Sequence, residues 1–198
     1  MIKTENKQRN TIRLVETALL LAISTLLSLP FLTLHSPWLM GGSVTFGSML
    51  PIVLISHRRG VKWGMFSAFV LSLIQLILGI NNITYAPNAT YAIAIILLDY
   101  IIAFSVIGLS SIFKNISMNK LLNILIGIVF SYFLRFICHF LSGWLIWDAL
   151  WPNEGGLAGW HYSLIYNISY MLPETLLALA ICAVSYPMLK NLWEKQTQ

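Results

Sequence analysis

Long apolar stretches alternate with short polar connections along the whole chain, and this alternation is the strongest structural pattern in the sequence. The pattern predicts helices near residues 14–34, 44–57, 61–80, 91–113, 121–147 and 162–189. A hydrocarbon core about 30 Å thick needs about 20 apolar residues per helix, so nearly all of these segments are long enough to cross a bilayer. We therefore predict an all-α integral membrane protein, a bundle of six transmembrane helices.

The second predicted helix differs from the others, because it is short and begins among residues that break helices. Gly41, Gly42 and Gly47 lie at its start, and Pro51 lies within it. Such residues allow a tilted, broken or partly re-entrant segment wherever protein or a cavity shields the backbone from lipid. The sequence leaves open which of these forms the segment takes.

The composition agrees with a membrane environment and leaves no room for a separate soluble domain. Hydrophobic residues make up 58% of the 198 residues and charged residues 10%, with a mean hydropathy of +0.77, whereas soluble domains average roughly 25% charged residues. The apolar run after Arg13 has no convincing cleavage site, so we interpret it as a retained first helix rather than a secretory signal. The basic residues form short clusters, which disfavours a nucleic-acid-binding face despite the net charge of +5.

Threading six helices alternately through a membrane collects the basic residues on one side. The loops on the other side, residues 35–42, 81–90 and 148–161, contain no lysine or arginine. By the positive-inside rule the basic side faces the cytoplasm, so we predict that both termini are cytoplasmic. The basic clusters are the N-terminal segment, the loop with Arg58, Arg59 and Lys62, the loop with Lys114 and Lys120, and the C-terminal Lys190 and Lys195.

Two groups of polar residues lie inside predicted helices. Asp99 lies about eight residues inside the fourth helix, roughly 12 Å deep, where an ionised carboxylate usually marks a functional site or a buried ion pair. On the fifth helix, His139, Gly143 and Trp147 recur every four residues, which predicts a stripe with a gap where a flat ligand could lie. The alternative is a hydrogen-bonded interior histidine beside a close helix contact at the glycine.

Other chemistries lack their sequence patterns. The four histidines show no metal-ligand spacing, so we predict no metal site and no cofactor. Neither a phosphate-binding G-x-x-x-x-G-K-[ST] loop nor a G-x-S-x-G nucleophile elbow is present. The chain therefore cannot hydrolyse ATP by itself, and uphill transport of a solute would need energy from a partner or from an ion gradient.

Four segments of the chain, taken in order, resemble one family of membrane proteins. The segments are GGSVTFGSMLPIVLISHRRGVKWG (41–64), LLDYIIAFSVIGLS (97–110), RFICHFLSGWLIW (135–147) and YSLIYNISYML (162–172). They are similar to the thiamine-specific S-component, the ThiT family, of energy-coupling factor (ECF) transporters. The resemblance implies that residues 1–198 form a single transmembrane substrate-binding domain. It also implies an ECF transmembrane coupling subunit and two cytoplasmic ATPase subunits as partners.

The same resemblance implies a set of substrate-binding residues. Its acidic member is Asp99, which is one methylene shorter than the glutamate of some family members, so a bridging water is one way for it to reach a ligand. If the sixth helix included Tyr162, then Tyr162 and Asn167 would point about 140° apart. For both to face one pocket, we expect this helix to begin after Tyr162. The implied residues are Asp99, Tyr100, His139, Trp147, Tyr162 and Asn167.

The chemistry of these residues agrees with thiamine, whose cationic thiazolium and flat aminopyrimidine suit a buried carboxylate and aromatic faces. Loops without lysine or arginine on the outer side count against phosphorylated or other anionic vitamins. Three alternatives stay open: an S-component for riboflavin or hydroxymethylpyrimidine, an intramembrane enzyme with Asp99 and His139 as acid and base, and a structural membrane subunit.

Two further pairs of residues carry hypotheses. Ala18 and Ala22 form a small-x-x-x-small pair that suits docking to the coupling subunit, and the alternative is packing within the bundle. Arg135 and Glu174 each lie 12 residues from the outer end of their predicted helices, both about 18 Å from that end. We predict that they form a structural ion pair, because a lone charge in hydrocarbon costs several kcal/mol. A competing arrangement pairs Arg135 with Asp99.

Overall fold

The computed structural model describes residues 2–35 and 42–194, which are mostly helical. Short 3₁₀ turns at Pro30–Leu32 and Ile80–Tyr85 follow the first and third helices. The main elements are α1 (Ile2–Leu27), β1 (Thr33–His35), β2 (Ser43–Thr45), α2 (Leu50–Arg59), α3 (Val61–Leu78), α4 (Ala89–Phe113), α5 (Lys120–Leu150) and α6 (Gly159–Glu194).

Among the described residues, five helices are long and apolar enough to cross a membrane, namely α1, α3, α4, α5 and α6. The prediction of a helical membrane protein is thereby confirmed. The helix predicted near 44–57 is different in the structure, because α2 has only ten residues. At 1.5 Å per residue such a helix covers about 15 Å, half of a hydrocarbon core.

The helix predicted for residues 14–34 was placed too far along the chain at both ends. In the structure it begins at Ile2 and ends at Leu27, and β1 pairs with β2 in antiparallel register, with Leu34 opposite Val44. Pro30 explains the end of α1, because a proline disfavours helical geometry in the residue before it. Leu29 is accordingly extended, with φ −68° and ψ 143°.

The short α2 lies in the centre of the bundle and runs antiparallel to α1. It follows Gly47, whose φ of 75° suits glycine, and has Pro51 in its first turn, where proline is tolerated. At one end of the pair, the Ser24 hydroxyl donates to the Ser48 carbonyl at 2.6 Å. At the other end, Glu16 forms an ion pair with Arg58 at 2.7 Å.

Glycines allow α3, α4 and α5 to approach closely. A Cβ at Gly108 of α4 would collide with the backbone of α3 at Met65. A Cβ at Gly127 of α5 would collide with the Ser110 carbonyl of α4. Close approach of backbones through small residues is the usual way in which helices associate in a bilayer. It fixes the relative positions of the helices that carry the polar residues described next.

The expectation that the last helix begins after Tyr162 is wrong. In the structure α6 begins at Gly159, and the Ala158 carbonyl accepts from the backbone N–H of Tyr162 at 3.0 Å. The preceding loop is closed by Asn153, whose side chain exchanges two hydrogen bonds with the backbone of Leu157 at 2.7 and 3.0 Å. This closed loop delivers the chain directly into the helix.

Candidate functional site

Two π-helical turns lie within α4 and α5, and each contains residues that the sequence singled out. In α4 the turn is Ile96–Ile101, which includes Asp99 and Tyr100. In α5 the turn is Gly143–Trp147. A π turn inserts an extra residue into a helix and is frequent at functional sites. The two turns bring the Asp99 and Trp147 side chains together between α4 and α5.

The carboxylate of Asp99 on α4 contacts two residues of α5. Its Oδ2 accepts a hydrogen bond from Trp147 Nε1 at 2.9 Å. Its Oδ1 lies 3.4 Å from His139 Nδ1, which is an ion-pair distance when the imidazole is protonated. The side chains of Asp99 and His139 are 14% and 15% exposed, so the group is accessible but largely shielded from solvent. Shielding strengthens the attraction between this carboxylate and a cation.

Gly143 does not face the same partner as the residues four positions on either side. A Cβ at Gly143 would collide with the Ser163 hydroxyl of α6 and approach the amide of Asn167. The glycine is therefore a close contact between α5 and α6, as the alternative interpretation of the stripe held. His139 and Trp147 instead both approach Asp99 of α4.

Asn167 forms the hydrogen-bonded layer behind His139. Its amide nitrogen donates to the Ser163 carbonyl at 2.9 Å and to the His139 carbonyl at 3.3 Å. Its amide oxygen accepts from the Tyr170 hydroxyl at 2.7 Å. Asn167 is 2% exposed. In this structure its hydrogen bonds hold α5 against α6.

The hydroxyl of Tyr100 and the ring of Tyr162 each make separate contacts. The Tyr100 hydroxyl donates to the Gly79 carbonyl at 2.9 Å and accepts from the Asn82 amide at 2.9 Å. It therefore ties α4 to the end of α3 rather than contacting Asp99. The Tyr162 ring stacks on Tyr166, with ring centroids 6.2 Å apart and an interplanar angle of 21°.

An aromatic wall extends the site beyond the residues implied by the resemblance. The Trp147 and Trp151 rings are nearly parallel, 9° apart in angle with centroids at 5.6 Å. Tyr85 meets Trp151 edge-on at 4.9 Å. Tyr85 and Trp151 lie in the loops 81–90 and 148–161, which the sequence placed on the outer side, but the sequence did not assign them to the site. These ring contacts depend on the π turn of α5 and on the loop after α3, neither of which has a periodic sequence pattern.

Four buried side-chain polar atoms of α5 have no hydrogen-bond partner among the described residues. They are the Tyr132 hydroxyl, Arg135 Nε, His139 Nε2 and Ser142 Oγ. Buried polar atoms are nearly always paired, so an unpaired atom calls for an explanation such as a water or a ligand. His139 and Ser142 are three residues apart and lie on adjacent parts of one helix face. His139 Nε2 adds hydrogen-bonding capacity beside the Asp99 carboxylate, because Nδ1 of the same ring lies 3.4 Å from Asp99 Oδ1.

Arg135 and Glu174 meet in the buried interior of the bundle. Arg135 Nη1 lies 2.8 Å from Glu174 Oε2, and the second carboxylate oxygen accepts from the Thr45 hydroxyl at 2.6 Å. The guanidinium also lies over the Phe104 ring, with Cζ 4.9 Å from the centroid. Asp99 therefore does not take the place of Glu174 as the partner of Arg135. The pair joins α5, α6 and β2.

The remaining predictions concern the exposed surface of α1 and metal binding. Ala18 and Ala22 are exposed on α1, so within the described residues they are not used for packing inside the bundle. No group of three or more histidine, cysteine or acidic side chains suited to a metal occurs in the described parts of the chain.

Comparisons with known proteins agree with this architecture. The profile of a family described as thiamine transporter protein matches residues 14–194. Thiamine transporter ThiT of Bacillus subtilis (strain 168) is 32% identical over 190 residues, covering 89% of this chain and 92% of that protein. Thiamine transporter ThiT of Lacticaseibacillus paracasei is 27% identical over 188 residues, covering 90% of this chain and 88% of that protein.

A solved structure of ThiT from Listeria monocytogenes has the same fold. Its TM-score with this chain is 0.71 at 24% sequence identity, and the alignment covers 93% of this chain and 98% of the Listeria chain. The coverage is nearly complete in both directions, so the described helices belong to one shared architecture.

Proposed function

Because this chain belongs to the thiamine transporter protein family, we propose that it is the high-affinity thiamine-binding S-component of an ECF-type ABC vitamin uptake transporter. The chain is a multi-pass protein of the bacterial cell membrane. It takes thiamine from the outside and delivers it to the cytoplasm. A transmembrane coupling subunit and two ATPase subunits supply the energy, since the chain itself has no nucleotide-binding loop.

The observation that carries this proposal is the Asp99 carboxylate held between His139 and Trp147 at the junction of two π turns. A shielded carboxylate stabilises a cationic thiazolium, and an indole face adds a cation–π or stacking contact. A second indole, Trp151, lies parallel behind Trp147 and extends the flat aromatic surface. This combination suits a cationic, planar ligand better than an anionic one.

We assign the other site residues by their contacts. His139 offers the thiamine its buried Nε2, which has no partner among the described residues. Tyr162 contributes an aromatic face at the outer end of α6. Asn167 and Tyr100 support the site from behind, Asn167 by fixing α5 to α6 and Tyr100 by fixing α4 to the loop after α3. Residues 1–198 thus act as one substrate-binding domain.

The main alternative within this family architecture is a different neutral or cationic vitamin, such as riboflavin or hydroxymethylpyrimidine. Competition against bound thiamine separates these ligands. An enzyme that uses Asp99 and His139 as acid and base gains no support, because the relatives are named transporters.

Coupling to the partner subunits is testable at α1. We propose that the exposed Ala18 and Ala22 let a helix of the coupling subunit approach closely. Ala18→Trp should reduce thiamine uptake by cells that express the whole transporter at least tenfold, because the indole blocks this approach. Thiamine binding by the purified variant should stay within about twofold of the unchanged protein, a difference below 0.5 kcal/mol. Val184→Trp, at an exposed position of α6 rather than α1, is the matched control.

Three results would contradict this proposal for coupling. Lost binding in the purified variant would mean that Ala18 packs within the bundle rather than against a partner. Unchanged uptake would mean that this face of α1 does not dock at all. Uptake that persists in cells without coupling and ATPase subunits would contradict the ECF mechanism while leaving thiamine binding intact.

We also propose that the chain crosses the membrane six times, with both termini cytoplasmic. Five crossings are the long helices, and the remaining one, second in chain order, consists of α2 together with the extended segment before it. That segment adds about 3.3 Å per residue to the roughly 15 Å of α2. The bundle interior shields its backbone, because Gly42 packs against the Tyr170 ring and Thr45 bonds to Glu174.

Cysteine labelling in intact cells tests this topology. In a background with the buried Cys138 and Cys182 changed to serine, Glu154→Cys should react with an impermeant thiol reagent, because it lies in the outer loop between α5 and α6. Met118→Cys should react only after the membrane is permeabilised, although Met118 is fully exposed at 101%. The reverse pattern, or labelling of both in intact cells, would refute the proposed orientation.

A further inference from the structure

The indole of Trp147 is held from two directions. Its Nε1 donates to Asp99 Oδ2 at 2.9 Å, which fixes one edge of the ring. One face of the ring is covered by Trp151, with centroids 5.6 Å apart and an interplanar angle of 9°. A ligand that stacks on Trp147 therefore has only the opposite face of the indole available. The angle at which that face is presented depends on both contacts.

Trp151 is in turn held by a residue from another part of the chain. It ends the last helical turn of α5 and is 43% exposed, so burial alone does not fix its ring. The Tyr85 ring meets it edge-on, with centroids 4.9 Å apart and an interplanar angle of 80°. Edge-to-face pairs of this kind are a favourable arrangement of aromatic rings. Tyr85 thus restrains the ring that covers Trp147.

Tyr85 ends the 3₁₀ turn Ile80–Tyr85, and the start of this turn is bonded to α4. The Asn82 amide donates to the Tyr100 hydroxyl at 2.9 Å, and this hydroxyl donates to the Gly79 carbonyl at 2.9 Å. The same carbonyl accepts from the backbone N–H of Asn82 at 3.0 Å. These bonds hold the turn, and with it Tyr85, against Tyr100.

The contacts form a closed ring, because Asp99 and Tyr100 are consecutive residues of the π turn in α4. Asp99 reaches the Trp147 indole directly, and Tyr100 reaches it through the 3₁₀ turn and the two further rings. On the basis of the thiamine site proposed above, we propose that Tyr85 and Trp151 are positioning residues. They set the plane in which the Trp147 indole meets thiamine, without contacting the ligand themselves.

Isothermal titration of purified full-length variants with thiamine is the first test. Trp151→Ala should weaken binding about fivefold, the scale of one aromatic pair. Trp151→Phe keeps a flat ring and should weaken binding less than about twofold. Trp160→Ala is the matched control, because it removes an indole that is equally exposed, at 45%, but stacks on His161 rather than on Trp147. Its affinity should equal that of the unchanged protein.

A second pair of variants tests the bond to Tyr100. Asn82→Ala removes the amide that donates to the Tyr100 hydroxyl and should weaken thiamine binding about threefold, the scale of one hydrogen bond. Asn81→Ala removes the same amide from the neighbouring exposed position and should leave the affinity unchanged.

A measurement without ligand separates positioning from direct contact with thiamine. In protein labelled with 5-fluorotryptophan, the ¹⁹F signal that disappears in Trp147→Phe belongs to Trp147. Tyr85→Leu should shift and broaden this signal, because Tyr85 meets Trp151 rather than Trp147 and can reach the indole only through that ring. Trp160→Ala should leave the signal in place. The unfolding temperature of Tyr85→Leu should stay close to that of the unchanged protein, since Tyr85 is 53% exposed.

Three results would overturn the proposal. Tighter binding of thiamine by Trp151→Ala would show that Trp151 occupies the ligand's own place on the indole. Lost affinity in Tyr85→Leu with an unchanged Trp147 signal would show that Tyr85 contacts thiamine itself. Unchanged affinity and an unchanged signal in Tyr85→Leu would show that the two rings position nothing. If the unchanged protein binds no thiamine, the proposed function fails, while the ligand-free Trp147 signal still reports whether the indole is positioned through Tyr85.

Discussion

Glu174→Gln should lower the unfolding temperature of the purified protein by roughly 6–20 °C, which corresponds to about 3–5 kcal/mol for a chain of this size. Glu174 is 1% exposed and is the ion-pair partner of Arg135 at 2.8 Å. The neutral amide leaves a buried guanidinium without its counter-charge. Removal of one partner of a buried pair costs more than the pair itself contributes, because the other charge stays buried.

A double-mutant cycle separates the ion pair from the loss of a single contact. Arg135→Gln in the Glu174→Gln background should restore part of the lost stability, because it removes the uncompensated charge. Glu154→Gln, at an exposed acidic position in the outer loop, is the control and should leave the unfolding temperature unchanged. A silent Glu174→Gln combined with a destabilising Asp99→Asn would mean that Arg135 depends on Asp99 instead.

Asp99→Asn should weaken thiamine binding at least tenfold, about 1.4 kcal/mol. The substitution keeps the shape of the side chain, and its amide oxygen still accepts from Trp147 Nε1, so the loss reports the counter-charge for the thiazolium. Trp147→Ala should also cost at least tenfold, because it removes the indole face. Isothermal titration of each purified variant measures both effects.

The binding variants have a matched comparison in the neighbouring residue. Tyr100→Phe removes a hydroxyl that contacts Gly79 and Asn82 rather than Asp99, so its effect on affinity should be smaller than that of Asp99→Asn. Equal losses would mean that the acidic and aromatic neighbours act on the ligand together. Unchanged affinity in both Asp99→Asn and Trp147→Ala would place the thiamine site elsewhere in the protein.

Long helices and their depth relations could be predicted from the sequence, because they depend on hydrophobic length and a constant rise per residue. The count of 12 residues from each outer helix end placed Arg135 and Glu174 at one level, and the structure holds them 2.8 Å apart. Regular helix geometry is enough for such an estimate. The sequence also indicated that the second helix would differ from the others, because the glycines before it and Pro51 within it break helices.

The site geometry could not be predicted in the same way. A π turn has no periodic signature, so nothing in the sequence shows that Asp99 and Trp147 meet through two such turns. The β1–β2 pairing lies among apolar residues that favoured a longer first helix. The direction of Tyr100 depends on the close approach of Gly79, a tertiary contact. Tertiary contacts therefore decided the features that sequence periodicity missed.

The isolated chain should bind thiamine, and fluorescence titration of the detergent-purified protein tests this binding most directly. Trp147 and Trp151, two of the seven tryptophans, are stacked at the proposed site, so ligand binding there should change the tryptophan emission. We expect a saturable change at one thiamine per chain, with weaker binding of thiamine phosphates than of thiamine. Absence of a saturable change, or tighter binding of the phosphates than of thiamine, would contradict the proposed thiamine site.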